Sequence, residues 1–131
     1  MPTVIRQTAT FKASPHEVYE ALMDSHKHAR FTGAPAKISR KVGGEFSIYG
    51  GSLSGKTTEL VADQKIVQEW RADDWPEGHF SHASFSLKKV KGGTQLSFYQ
   101  SNVPAKHYKG IKLGWIDFYW KPMKAMLDGG Q

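Results

Sequence analysis

The chain has no cysteine among its 131 residues, which excludes disulfide staples and thiolate chemistry and suits a reducing cytoplasm. It also lacks any run approaching the ~20 apolar residues needed to cross a bilayer, so no membrane span is expected. The opening MPTVIRQTATF alternates as a strand does and lacks the stretch of about 7 to 15 apolar residues that marks a secretory leader. No HExxH or GxSxG occurs, and the order of Ser, His and Asp singles out no triad. His79 and His82 are three apart on an expected strand, so they point to opposite faces, while His26 and His28 have no carboxylate at helical ligand spacing. Without cysteine, these motifs or a histidine cluster, we expect no metal, no cofactor and no catalytic residue.

Charge is present in excess of one sign, with 18 basic against 12 acidic residues and a net charge of +6. Such a balance suits an acidic partner, a membrane surface or nucleic acid. The lysines are spread out, however, and the dense cluster Lys88, Lys89 and Lys91 runs into Gly92-Gly93, which reads as a solvated hairpin turn. Ribonucleoprotein signatures, zinc-finger spacing and basic heptads are absent, so nucleic-acid binding is not expected.

A chain of this length fits one domain, residues 1–131, burying roughly two thirds of its unfolded surface. Residues 3–12 read as a first strand. Ser14 can then cap a helix, with Pro15 at its first position and Glu17 closing a capping box. A second helical turn is expected over 26–31, ended by Thr32-Gly33-Ala34-Pro35. From 36 to about 102 the period becomes two, seen at Phe46/Ile48, Ala83/Phe85/Leu87 and Leu96/Phe98, which predicts a meander of about six antiparallel strands. Between 108 and 127 a helical period returns, placing Ile111, Trp115, Phe118, Pro122 and Met126 on one stripe. Pro122 is expected to kink that helix or to mark where two pieces join. The sum is an α+β domain in which a curved antiparallel sheet wraps a long carboxy-terminal helix.

Gly50 to Thr57 matches the phosphate-loop expression GxxxxGK[ST]. A phosphate loop must open a helix whose terminal amides hold the phosphates. Here Thr57-Thr58-Glu59-Leu60-Val61 continues as a strand, so a hairpin is expected instead.

The aromatic and aliphatic set Phe46, Ile48, Trp70, Phe85, Phe98, Trp115, Phe118 and Tyr119 is the candidate lining of a cavity between sheet and helix, and would serve equally as plain core. Gly110 and Gly114 on the helix, with Gly50 and Gly51 on the sheet, are the positions expected to leave space. Trp75, in the turn Trp75-Pro76-Glu77-Gly78 beside Asp73 and Asp74, reads either as a plug of its loop or as a half-exposed interface anchor. The neighbouring acids read as a solvated cluster.

Five blocks follow one another in order: FTGAPA from Phe31, GGEFSIYGGSLSG from Gly43, ELVADQKIVQEWR from Glu59, WPEGHF from Trp75, and Val103-Pro104 before GWIDFYW ending at Trp120. Together they resemble the carboxy-terminal domain of the activators of the Hsp90 ATPase, within the START-like (helix-grip, Bet v 1-like) superfamily. The resemblance implies a helix-grip fold with six or seven strands and two short helices after the first strand, a cytoplasmic setting, and a non-enzymatic role in which the domain binds an Hsp90-type chaperone. Under that reading Arg71, Trp75, Lys106 and Lys109 are the expected partner-binding residues. Full activators carry a further amino-terminal domain that anchors on the chaperone, with no counterpart in this sequence. The superfamily also implies an alternative, a small apolar or aromatic ligand held between sheet and helix.

Overall fold

A computed structural model describes residues 3–128; Met1 and Pro2 of the expected domain, and 129–131, lie outside the described residues. The order is β1 (Ile5–Phe11), α1 (Pro15–Met23), α2 (Ser25–Thr32), β2 (Ala36–Ile38), β3 (Glu45–Ile48), β4 (Leu53–Val61), β5 (Lys65–Ala72), β6 (Ser81–Val90), β7 (Gly93–Ser101), α3 (Tyr108–Trp115) and α4 (Lys121–Asp128). A π-helical segment, Ile116–Trp120, joins α3 to α4, and single 3₁₀ turns occupy Tyr49–Gly51 and Ala105–His107.

The seven strands form one antiparallel sheet in the order β1-β7-β6-β5-β4-β3-β2. The expected six-strand meander is thus β2 to β7, and β1 closes the far edge against β7. Alternation decides which face is inward. In β5, Ile66, Gln68, Trp70 and Ala72 are buried, while their neighbours are only partly so.

Gly55 is required by close approach. A Cβ there would lie 1.7 Å from the Glu69 carbonyl oxygen and 2.9 Å from the Phe46 ring. This glycine of the phosphate-loop expression therefore lets β3, β4 and β5 pack closely. Lys56 sits within β4 and opens no helix.

The start of α1 has both halves of the capping box. The Glu17 amide donates to the Ser14 hydroxyl at 3.2 Å, and the Ser14 amide donates to the Glu17 carboxylate at 3.0 Å. Asp24 ends α1 and caps α2, accepting from the Lys27 amide at 3.0 Å. Gly33 ends α2 at φ 74°, the left-handed position that glycine occupies without strain.

The carboxy-terminal helix corrects one expectation. Trp115, Tyr119, Trp120 and Met123 are buried, whereas Phe118 is 59% exposed. The wide π turn inserts one residue and rotates everything after it, so the stripe through Phe118 is broken. Pro122 is the second residue of α4, directly after the π turn, and two helical pieces do join one residue before it.

Indole and amide groups fasten this helix to the sheet. The Trp115 indole donates to Gln100 at 2.7 Å, the Gln100 amide to the Ser81 hydroxyl at 2.8 Å, and that hydroxyl to the Trp70 carbonyl at 2.7 Å. The Trp120 indole donates to Gln7 at 2.7 Å. Each buried polar group in this relay is satisfied, which avoids the desolvation loss of about 1–3 kcal/mol for an orphaned one.

Candidate functional site

A cavity of about 340 Å³, open on one side, lies between α3 and the turn that leads into β4. Its walls are Tyr49, Ser52, Leu53, Trp70, Gly110, Ile111, Gly114, Trp115, Phe118 and Tyr119, with no charged side chain among them. Gly110 and Gly114 face it as expected from the sequence: a Cβ at Gly110 would meet nothing within 4 Å, and one at Gly114 only the edge of Phe118 at 3.9 Å. Gly50 and Gly51 do not line it. They shape the turn at φ 64° and 103°, and their neighbours Tyr49, Ser52 and Leu53 supply the wall.

Deeper under the helix the space closes. A void of about 10 Å³ lies among Leu22, His28, Ile38, Phe46, Ile48, Ile66, Gln68, Trp70, Phe85, Trp115 and Tyr119, room for one water at most. The expected lining set therefore divides. Trp70, Trp115, Phe118 and Tyr119 face the open cavity, whereas Ile48 and Phe85 border the small void, and Phe46 borders that void and a separate shallow groove beside Ser54, Gly55 and Phe80. Phe98 borders neither, packing instead tilted against Trp115 at 4.4 Å and edge-on to Trp120 at 5.4 Å between ring centroids. These four side chains are buried and do not border the open cavity.

Between the two spaces stands a polar pair that the sequence did not single out. His28, which the sequence placed in a short turn, is 3% exposed. Its Nε2 lies 2.8 Å from the Tyr119 hydroxyl and its Nδ1 3.2 Å from the Leu22 carbonyl. Burial pulls the His28 pKa down to about 4, against a small opposing effect of the Leu22 carbonyl, so the ring is neutral at pH 7. A carbonyl can only accept, so Nδ1 carries the proton, Nε2 accepts, and Tyr119 donates. Burial first, then the nearby Tyr49, pushes the Tyr119 phenol far above its ordinary value. Burial also raises that of Tyr49. Both phenols remain protonated and act as hydrogen-bond groups.

The expected partner-binding residues fall into two kinds. Trp75 is 4% exposed, packed edge-on against Trp70 and His79 and tilted over His107. Its ring plugs the loop from below and presents no half-exposed anchor, which corrects that alternative. Arg71, half-buried, is engaged by the same loop, donating to the Trp75 carbonyl at 2.8 Å and the Pro76 carbonyl at 3.3 Å. Together they hold the loop in which Asp73, Asp74 and Glu77 are exposed. Lys106 and Lys109 are exposed at the entry to α3, followed by exposed Lys112 and Leu113. The remaining histidines are dispersed, and among the described residues no three His, Asp or Glu come together as a metal site. No described helix is long and apolar enough to cross a membrane.

A curved antiparallel sheet closed by one long interrupted helix, with an apolar cavity at one end, defines a START-like, helix-grip protein. Residues 12–128 match the family described as "Activator of Hsp90 ATPase homolog 1-like protein", and the chain belongs to that family. The human "Activator of 90 kDa heat shock protein ATPase homolog 1" is 34% identical over 121 residues, covering 92% of this chain and 36% of that protein. The chain thus spans about a third of the length of such curated relatives. Among solved structures, an Hsp90 activator from Plasmodium falciparum superposes with a TM-score of 0.89 at 28% identity, covering 95% of this chain and 96% of the other. The Aha1 dimer from Colwellia psychrerythraea has the same fold, with a TM-score of 0.84 at 23% identity and 99% coverage of each chain.

Proposed function

We propose that this chain acts through contact and not through bond-making, as a co-chaperone-like domain that binds an Hsp90-type chaperone and favours its ATPase-competent state. The observation that carries this reading is the 34% identity over 92% of the chain to a protein named as an activator of that ATPase. An activator of this kind works by binding the hydrolysis-ready state more tightly, with ~1.4 kcal/mol of preference for each tenfold shift in population. The exposed Lys106, Lys109 and Lys112, beside the exposed Leu113, offer a surface suited to an acidic partner. Arg71 and Trp75 contribute by holding the adjoining loop in shape.

The test adds the chain to a purified Hsp90 and follows phosphate release at two salt concentrations. A raised ATPase rate that falls with salt is expected, and the double reversal Lys106→Glu/Lys109→Glu should lose most of it. No rate change together with no complex by calorimetry would refute the reading.

The 340 Å³ apolar cavity favours a second reading, in which the domain holds a small apolar ligand. It predicts a raised melting temperature with such a compound.

A further inference from the structure

Phe118 and Leu113 are large apolar side chains left 59% and 48% exposed on the helical segment that walls the open cavity. Single exposed apolar residues are ordinary, but two beside an apolar hollow form the kind of patch that marks a contact surface. Lys106, Gly110 and Leu113 follow at spacings of four and three, which puts them along one flank of the helix. Gly110 is exposed, bears no side chain and lines the cavity, so between Lys106 and Leu113 that flank leads over bare backbone into the hollow. Phe118 forms the next lip, its ring edge 3.9 Å from where a Cβ at Gly114 would stand.

The charges of this segment that lack a partner are basic. Asp117 pairs with Lys121 at 3.4 Å, and Lys112 lies over the Tyr108 ring at 5.9 Å. Lys106 and Lys109 are exposed and have no carboxylate partner among the described residues. Inside the hollow no charged side chain lines the wall, so whatever enters must be uncharged. An occupant therefore needs acids outside the mouth and an apolar group within it. A small-molecule site encloses most of its ligand, whereas Gly110, Leu113 and Phe118 leave this mouth in water. One side chain of a larger partner fits such a place, with its backbone remaining outside.

Resting on the chaperone reading above, we propose that this mouth is the docking site of an acidic segment of the chaperone. Its carboxylates face Lys106 and Lys109, while one aromatic or branched aliphatic side chain inserts beside Phe118 and Leu113 into the cavity.

The experiment titrates the full chain into purified Hsp90 held with a non-hydrolysable ATP analogue, by calorimetry at low and at high salt. Phe118→Ser should weaken binding roughly tenfold at both, as expected for loss of an anchor contact. Leu113→Ser, which borders the mouth without walling the cavity, should act in the same direction, and both variants should melt with the parent because the side chains are exposed. Lys106→Glu/Lys109→Glu should weaken binding strongly at low salt and less at high salt, since added ions screen exposed charges. Lys89→Glu/Lys91→Glu makes the same change in net charge at exposed positions of the β6–β7 hairpin and should bind as the parent does.

Parent-like binding by Phe118→Ser and Leu113→Ser, or a hairpin reversal as damaging as the helix reversal, would overturn this docking site and leave the chaperone reading intact. Saturable uptake of 2-methylnaphthalene that leaves the chaperone affinity unchanged would give the cavity to a small ligand and overturn it as well. So would a dimer of this chain that is lost in Phe118→Ser, which would give the face to a second copy. Absence of any complex between the parent chain and Hsp90 would remove the chaperone reading itself.

Discussion

The two ends of the same sheet–helix interface are built differently. At the end near Gly110 and Gly114 the helix faces about 340 Å³ of open space. At the end near His28 and Phe85 it faces about 10 Å³. Both ends are apolar, so hydropathy does not distinguish them. Side-chain volume and helix phase do. Glycines spaced four apart leave one stretch without bulk, while the π turn brings Tyr119 and Trp120 inward together and fills the other. An apolar surface in this fold therefore becomes a core or a site according to how many atoms reach it.

The strongest way to break the contrast is to remove a ring that walls both spaces. Trp115→Ala should destabilise the protein by about 3–5 kcal/mol, because it removes a ring in contact with Trp70, Phe85, Phe98 and Trp120 and orphans the Gln100 oxygen. Denaturant unfolding measures it, and a loss below 1 kcal/mol would show that ring to be loosely packed.

Next comes pH. His28 is neutral and buried in the native state with a pKa of about 4, against about 6.5 when unfolded. Between those values the unfolded chain binds a proton that the native chain does not. Stability is therefore complete above pH 6.5 and falls as pH drops towards 4, by up to roughly 3 kcal/mol. His28→Phe should flatten that part of the pH profile, as read by urea midpoints between pH 7 and 4.5. An unchanged slope would remove His28 from the packed end.

The smallest effect lies at the open end. Gly110→Ala adds a methyl group that meets nothing within 4 Å and improves helix propensity, so it should stabilise by up to about 1 kcal/mol. A measured destabilisation would mean that this end is closed in solution.

Local chemistry made much of the fold legible. Ser14, Pro15 and Glu17 announce their helix because a capping box involves residues three apart, and Gly92-Gly93 announces its hairpin for a similar reason. Alternation located the strands, and the glycines of α3 correctly indicated space. The phase of the last helix was not legible, since a π turn leaves no mark in the spacing of Trp115, Phe118 and Met126. Nor was the burial of Trp75, which depends on Trp70, His79 and His107 arriving from other elements. His28 was missed because its partner Tyr119 is 91 positions away. Tyr49 stood within a quoted block, yet its left-handed backbone and its buried hydroxyl without a partner are visible only in the fold.

Order along the chain by itself determined the strands, the caps, the family and the presence of an apolar seam, because these follow from neighbours and from periodicity. Three-dimensional packing alone decided which part of that seam stays open, which hydroxyl is left without a hydrogen bond, and which tryptophan of the loop is buried. Those outcomes depend on distances between residues far apart in sequence, and no pattern of near neighbours encodes them.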